Sequence, residues 1–464
     1  MSFPVLSMPC RLMAGLVTGV AVLVAPVVAN EPPTPRLTFG FDQRLEAIDN
    51  SGLNVPSLGR TVQSVTRLNF GFVSETPRDS LSFTGGSGFR LGDRPQGSIS
   101  AFDDTRLGLT YRREGGDSEF QIRASARQAR IETLRSLLDF VDEDGVLQLP
   151  EDFDELSGFG RRTSYDVEAR LALGQEAAPV GVTFTLGAGG IDYGDGATQN
   201  DIRTLRAGVD TRFRLSPVLT ATLGVRREER RELASVTEKR VTDRVEAGAI
   251  YALSPRTDLR ARLGYSQVDR TGTIVRREEG VVGGVDLDID TPDGSYGFFV
   301  DARQLETGQE LSGGVRRSIE LPRGAVSGSV GATRLPGRDN ALIGTLSWRQ
   351  DLPDGPLTVN LSRQSVTGDL EDPRIRTVAS ASYAHQVNQV SSFSLRADHA
   401  RSDGSAQRNQ IEESSLRLTY TRQLTADWSL NSGVGYRVRR EETIGRATSP
   451  EIFIGLGRSF LFPL

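Results

Sequence analysis

The sequence predicts an all-β fold: a transmembrane antiparallel up-and-down β-barrel of about 22 strands, within the range 20–24, without a plug domain. Three observations carry this. Turn-forming clusters recur about every 30 to 40 residues, at Ser216-Pro217, Ser254-Pro255, Pro292-Asp293-Gly294, Pro322-Arg323-Gly324 and Pro353-Asp354-Gly355. Between clusters lie two runs in which apolar and polar residues alternate. The chain also opens on a secretory leader and closes on an aromatic strand. A soluble β-sandwich or solenoid explains any one of these hairpins but explains the whole succession poorly.

In the leader, Arg11 precedes an apolar stretch over residues 12–28, and Val27-Val28-Ala29 suits signal peptidase. Residues 1–29 are expected to be cleaved, so that residues 30–464 form a single barrel. A helical anchor is disfavoured, because the run falls short of the ~20 residues a helical span needs. Cys10 stands ahead of the apolar stretch, misplaced for a lipoprotein anchor, and would leave with the leader. It is the only cysteine, so the mature protein would have no disulfide, thiolate metal site or Cys nucleophile.

Hydrophobic residues make up 37 % and charged residues 25 % of the chain. A barrel accommodates so polar a composition because only every second strand residue meets lipid. Lys239 is the only lysine, so nearly all positive charge is arginine; the net charge of −5 implies no broad basic surface for nucleic acid.

The first strand is expected near Arg36, which leaves no room for a plug after the cleavage site and disfavours active uptake of the TonB type. Further strands are marked by Phe120, Ile122, Ala124 and Ala126, by Tyr165, Val167, Ala169, Leu171 and Leu173, and by Leu259, Ala261, Leu263 and Tyr265. Near the end, Leu416, Leu418 and Tyr420 alternate with Arg417, Thr419 and Thr421. Trp428, Leu430, Val434, Tyr436 and Val438 then alternate with small or polar residues. Tight connections at 215–218, 253–257 and 424–428 alternate with longer polar ones at 190–201 and 226–240, matching periplasmic turns and extracellular loops. An even strand number puts both termini in the periplasm.

In the final stretch Ile452, Ile454, Leu456, Phe460 and Phe462 are spaced by two, interrupted by Arg458 and followed by Pro463-Leu464. This resembles the C-terminal recognition strand of Gram-negative outer-membrane proteins, with Phe460 and Phe462 as the assembly signal. The mature chain as a whole resembles porin-like barrels of that membrane. The resemblance implies an outer-membrane location, contact with lipid and lipopolysaccharide, insertion by the barrel-assembly machinery, small solutes as cargo, and no cofactor.

If the apolar faces meet lipid, charges on the opposite faces line the lumen. There fall Arg106, Arg112, Arg123, Arg127, Arg170, Arg206, Arg212, Arg260, Arg262, Arg396, Arg417 and Arg437, opposed by Asp166, Glu168, Asp210, Glu246 and Asp398. A low-dielectric wall concentrates their field, so a surplus of arginine favours anions. The same groups can instead pair into a ladder of guanidinium forks and carboxylates that fills a closed barrel.

One connection stands apart. Between the fifth and sixth strands, residues 133–160 carry Asp139, Asp142, Glu143, Asp144, Glu151, Asp152, Asp154 and Glu155. Its position, third among the outer loops, is similar to that of the porin constriction loop. Folded inward, it would set the limiting pore radius; otherwise it is a solvated loop whose Leu137, Leu138, Phe140 and Val141 pack on a neighbouring loop. The run Asp142-Glu143-Asp144-Gly145 lacks the spacing of an EF-hand, so no metal is expected. The glycines of 187–196 match no dinucleotide fingerprint and suggest a flexible strand end and loop.

Arg-Arg-Glu-Glu occurs at 226–229, 276–279 and 439–442. These are rim charges, from which an outward Arg227 or Arg440 could meet lipopolysaccharide phosphates. His385 and His399, the only histidines, fall near opposite ends of adjacent strands, which argues against a hydrolase built from His399 with Ser402 and Asp398 or Asp403. The resulting reading is a non-enzymatic channel for passive passage of small polar, mainly anionic, solutes. The alternatives are an export or assembly scaffold holding a polysaccharide or partner protein, and a structural barrel without transport.

Overall fold

The computed structural model describes residues 35–463 apart from Gln96, Thr133, Arg135, 142–145, Glu151, 157–159, 175–177, 368–372 and 405–408. The leader and the run 142–145 therefore lie outside the described residues. Twenty-two strands follow one another among those described. The first eight are β1 (Arg36–Asp49), β2 (Arg60–Glu75), β3 (Asp79–Arg94), β4 (Gly97–Glu114), β5 (Ser118–Arg130), β6 (Arg161–Leu173), β7 (Val180–Gly194) and β8 (Asp201–Ser216). Then come β9 (Leu219–Leu233), β10 (Thr237–Ser254), β11 (Thr257–Thr271), β12 (Arg276–Thr291), β13 (Gly294–Leu305), β14 (Gly308–Leu321) and β15 (Gly324–Arg334). The last are β16 (Ala341–Leu352), β17 (Gly355–Thr367), β18 (Pro373–Asn388), β19 (Ser391–Ser402), β20 (Ile411–Gln423), β21 (Trp428–Glu441) and β22 (Gly445–Pro463).

Each strand pairs antiparallel with its chain neighbours, and β1 pairs with β22 from Arg36 opposite Pro463 to Ile48 opposite Glu451. The sheet is closed and leaves no free edge, which lets strands cross a bilayer with every ladder hydrogen bond made within the wall. The strand that resembles the assembly signal is the one that seals the barrel.

Alternation decides the two faces. In β11, Leu263 is 67 % exposed and Tyr265 is exposed beside it, while Ser266 and Val268 are buried. Outward rings pair across strands toward the turn end, Phe39 with Phe70 at 6.2 Å and Phe393 with Tyr420 at 4.9 Å. Trp428 and Phe460 flank the guanidinium of Arg458 at 5.3 and 4.3 Å. Aromatic residues at that depth suit the headgroup boundary, where a ring can be part apolar and part wet. Arg458 thereby occupies an outward position without breaking the pattern.

The turn end repeats one device. Pro292-Asp293, Pro322-Arg323 and Pro353-Asp354 each form a two-residue connection followed by a glycine that opens the next strand. Gly355 has φ +142°, and a Cβ there would run into the carbonyl of Ala384. Glycine avoids both problems.

Two expectations are corrected. Residues 226–240 are not a long loop: β9 and β10 continue to Leu233 and from Thr237, joined by 234–236. The charges expected to solvate a loop instead pair across strands, Arg227 with Asp243 at 3.3 Å and Lys239 with Glu229 at 3.0 Å, which extends the hairpin beyond the apolar band. The glycines of 187–194 belong to β7. Gly190 is needed for close approach, since a Cβ would lie 2.6 Å from the Ile202 carbonyl and the Tyr165 hydroxyl. Outer connections are also not uniformly long; 306–307 is as tight as any inner turn.

Candidate functional site: the lumen and its inward loop

The inner faces carry a ladder of ion pairs. Arg260 meets Asp288 at 2.8 Å, Arg396 meets Asp398 at 2.7 Å, Asp210 meets Arg226 at 3.0 Å, and Glu246 meets Arg244 at 2.8 Å. Arg206 pairs with Asp166 and Arg262 with Asp301. Arg112 reaches Glu114 and Glu119 at 2.8 and 3.2 Å. Arg417 and Arg44 both hold Glu451 at 2.9 Å. Arg437 donates to the Ser51 carbonyl and the Ser449 hydroxyl at 3.1 and 3.0 Å. In the β5–β6 register Arg123 stands opposite Glu168, and Arg170 opposite Gln121; Arg212 lies over Gly181. Most of the arginines named from the sequence thus have a carboxylate partner, because neighbouring strands place acids on the same inner face.

A β-bulge supplies an acid, Asp103, that counting by two from Arg106 misses. The register of β3 and β4 shifts at Asp104, whose φ is +55°. The extra residue turns two successive side chains inward. Asp103 meets Arg90 at 2.9 Å, and Asp104 holds Arg106 and Arg127 at 2.7 and 2.9 Å.

The connection between β5 and β6 turns into the mouth of the barrel. Leu134, Leu137, Phe140, Leu147, Phe153 and Leu156 form a small apolar core, closed against Ala129 of β5 and Ala400 of β19. Phe140 meets Phe153 edge-on at 6.0 Å, and Val141 bridges Leu147. Of the four residues named from the sequence, Leu137, Phe140 and Val141 pack within this core, whereas Leu138 faces the cavity under the connection 50–59.

Two clamps fix this core. On its own side Asp152, fully buried, accepts two hydrogen bonds from Arg162 of β6 at 2.6 and 2.8 Å and one from the Tyr193 hydroxyl of β7 at 2.5 Å. On the far side Asp154 meets Arg374 and Arg376 of β18 at 3.0 and 2.9 Å and accepts from Ser402 of β19 at 3.1 Å. Arg376 also donates to the Pro150 carbonyl at 3.1 Å. Seven strands, β20 to β22 and β1 to β4, separate β19 from β5 around the wall, so the loop spans a chord of the lumen. Of its other acids, Asp142, Glu143, Asp144 and Glu151 lie outside the described residues, as do the side chains of Asp139 and Glu155.

The fold is that of a Gram-negative outer-membrane barrel. No family model and no curated protein matches the sequence. Solved structures are similar to this barrel at 10 % sequence identity, a level that establishes shared architecture only. The FrpB iron transporter of Neisseria meningitidis has a TM-score of 0.56, with 93 % of this chain and 82 % of that one covered. The ferric enterobactin receptor PfeA of Pseudomonas aeruginosa gives 0.54, with 91 % and 80 % covered. The siderophore receptor PirA of the same organism gives 0.53, with 93 % and 81 % covered.

The barrel does not assemble the histidine set. His399 bonds outward to Ser414 at 2.9 Å, whereas Asp398 and Ser402 face the lumen through Arg396 and Asp154. Missed from the sequence were Arg374 and Arg376, although their spacing of two puts both on one face, and Arg44, Glu46 and Glu451, which the same count would have found.

Proposed function

We propose that this barrel is an outer-membrane channel for small polar solutes, anions favoured, whose aperture is set by the inward loop at 131–160. The observation that carries the reading is the pair of clamps at Asp152 and Asp154, which hold a packed apolar core across the lumen mouth. Barrels of 22 strands are wide enough to need internal obstruction, whereas 16–18-stranded porins leave an aqueous channel. A loop anchored to both walls narrows such a lumen at its outer mouth.

The test is single-channel current of the refolded mature protein in a planar bilayer, beside a variant lacking residues 142–154. Removing the segment should raise unit conductance severalfold, and unchanged conductance would overturn the loop's role. Silence from both, with the protein shown to be a folded barrel, would overturn the channel.

The architecture shared with iron and siderophore transporters supports a second reading, specific uptake of a larger ligand. In that case wild type stays silent in the bilayer, and opening the clamps alone produces current.

A further inference from the structure

Beside the loop, under the first outer connection (50–59), lies a cavity of about 140 Å³. By the ~10–15 Å³ that one water needs on this measure, it holds on the order of ten waters, about the space of a single sugar ring. Its wall holds six arginines, Arg44, Arg67, Arg90, Arg94, Arg417 and Arg437, against three carboxylates, Glu46, Glu132 and Glu451. Those acids are already engaged. Glu451 serves Arg44 and Arg417, Glu46 serves Arg44 and Arg90, and Glu132 serves Arg130 outside the cavity. Among the described residues Arg67 and Arg94 have no carboxylate within ion-pair distance, and Arg437 meets only neutral oxygens. This is the opposite of the paired ladder elsewhere in the lumen. A second observation concerns neutral groups: Gln63, only 5 % exposed, gives its amide NH2 to Glu46 at 2.6 Å, while its carbonyl oxygen is buried without a donor.

We infer that this cavity binds a small polyhydroxylated anion, a sugar acid or sugar phosphate, with Arg67 and Arg94 on the anionic group and the Gln63 carbonyl accepting from a hydroxyl. Guanidinium forks match carboxylate and phosphate oxygens two at a time, and a buried carbonyl gains most from a donor that arrives with the ligand. The inference rests on the channel reading for its purpose but not for its test. Glu132, Ser136 and Leu138 of the inward loop line the same cavity, so a bound anion touches the element that narrows the lumen, and occupancy and loop position become linked.

Isothermal titration of the mature barrel in detergent with D-glucuronate, glucose 6-phosphate, inorganic phosphate and glucose tests this without any current measurement. Saturable binding of the two sugar anions is expected, with glucose and inorganic phosphate each weaker by about tenfold or more. Arg67→Gln and Arg94→Gln should each weaken the sugar anions by a similar factor, and Gln63→Leu should weaken them while leaving inorganic phosphate unchanged. Heat-modifiable gel mobility of each variant verifies that the barrel has formed. No heat from either sugar anion at about 10 mM, equal binding of glucose, or unaltered binding by the Arg67→Gln/Arg94→Gln variant would overturn the site. A barrel that binds but carries no current retains the site and loses the channel; one that conducts but does not bind does the reverse.

Discussion

Asp154 illustrates what one lumenal carboxylate does. Arg374 is 2 % exposed and Arg376 6 %, so both lie out of water, and the Asp154 carboxylate is shared between them. Asp154→Ala takes from both guanidinium groups the carboxylate they share. Breaking a buried pair in this way costs about 3–5 kcal/mol, enough to free the loop from the far wall while the barrel stays closed. The expected outcome is faster proteolysis within 131–160 and higher conductance, with unchanged heat-modifiable mobility. Asp104 is a different case, because its carboxylate depends on a left-handed backbone. Asp104→Gly keeps that conformation at no strain and removes one lumenal carboxylate beside Arg106 and Arg127, so conductance should become more anion-selective without loss of folding, as a shift in reversal potential would register. Alternation made most lumenal arginines legible in the sequence. Asp104 lies two positions before Arg106 and the same count would have found it; Asp103 was not legible, since a bulge shifts the count by one and no residue announces it.

At the level of elements, the strands follow from a period of two, and the inner turns follow from Pro-Asp-Gly and its relatives. Gly355→Val should slow folding and destabilise the β16–β17 hairpin by about 1–3 kcal/mol, because φ of +142° and the Ala384 carbonyl both oppose a side chain. Refolding into detergent, followed on a gel, would measure it. The outer connections were harder to read. The polarity of 226–240 pointed to a loop, yet charges that pair across a ladder continue a hairpin as readily as apolar residues do. The apolar residues of 131–160 signalled packing but not its partner, because a loop's contacts with β18 and β19 depend on closure of the whole ring.

At the scale of the molecule, the wall inverts a soluble protein, with its apolar surface outside and its ionic groups within. Leu263→Arg places a cation in the lipid-facing band and should cost about 2–4 kcal/mol near the bilayer midplane, visible as a lower urea midpoint for unfolding from vesicles; the same change at outward Leu233, on the extended rim of β9, should cost far less. The strand count, the closed topology and the seam were legible because they repeat. The internal loop occurs once, so the sequence could raise its inward course only as one of two alternatives. Its far clamp joins residues 222 positions apart, Asp154 and Arg376, and the seam joins Arg44 to Glu451 across 407. The loop at 131–160 therefore has its far wall only once β18 and β19 are in place. A chain cut short before β18 would lack both the seam and the far clamp, and so would leave neither a closed wall nor a held loop.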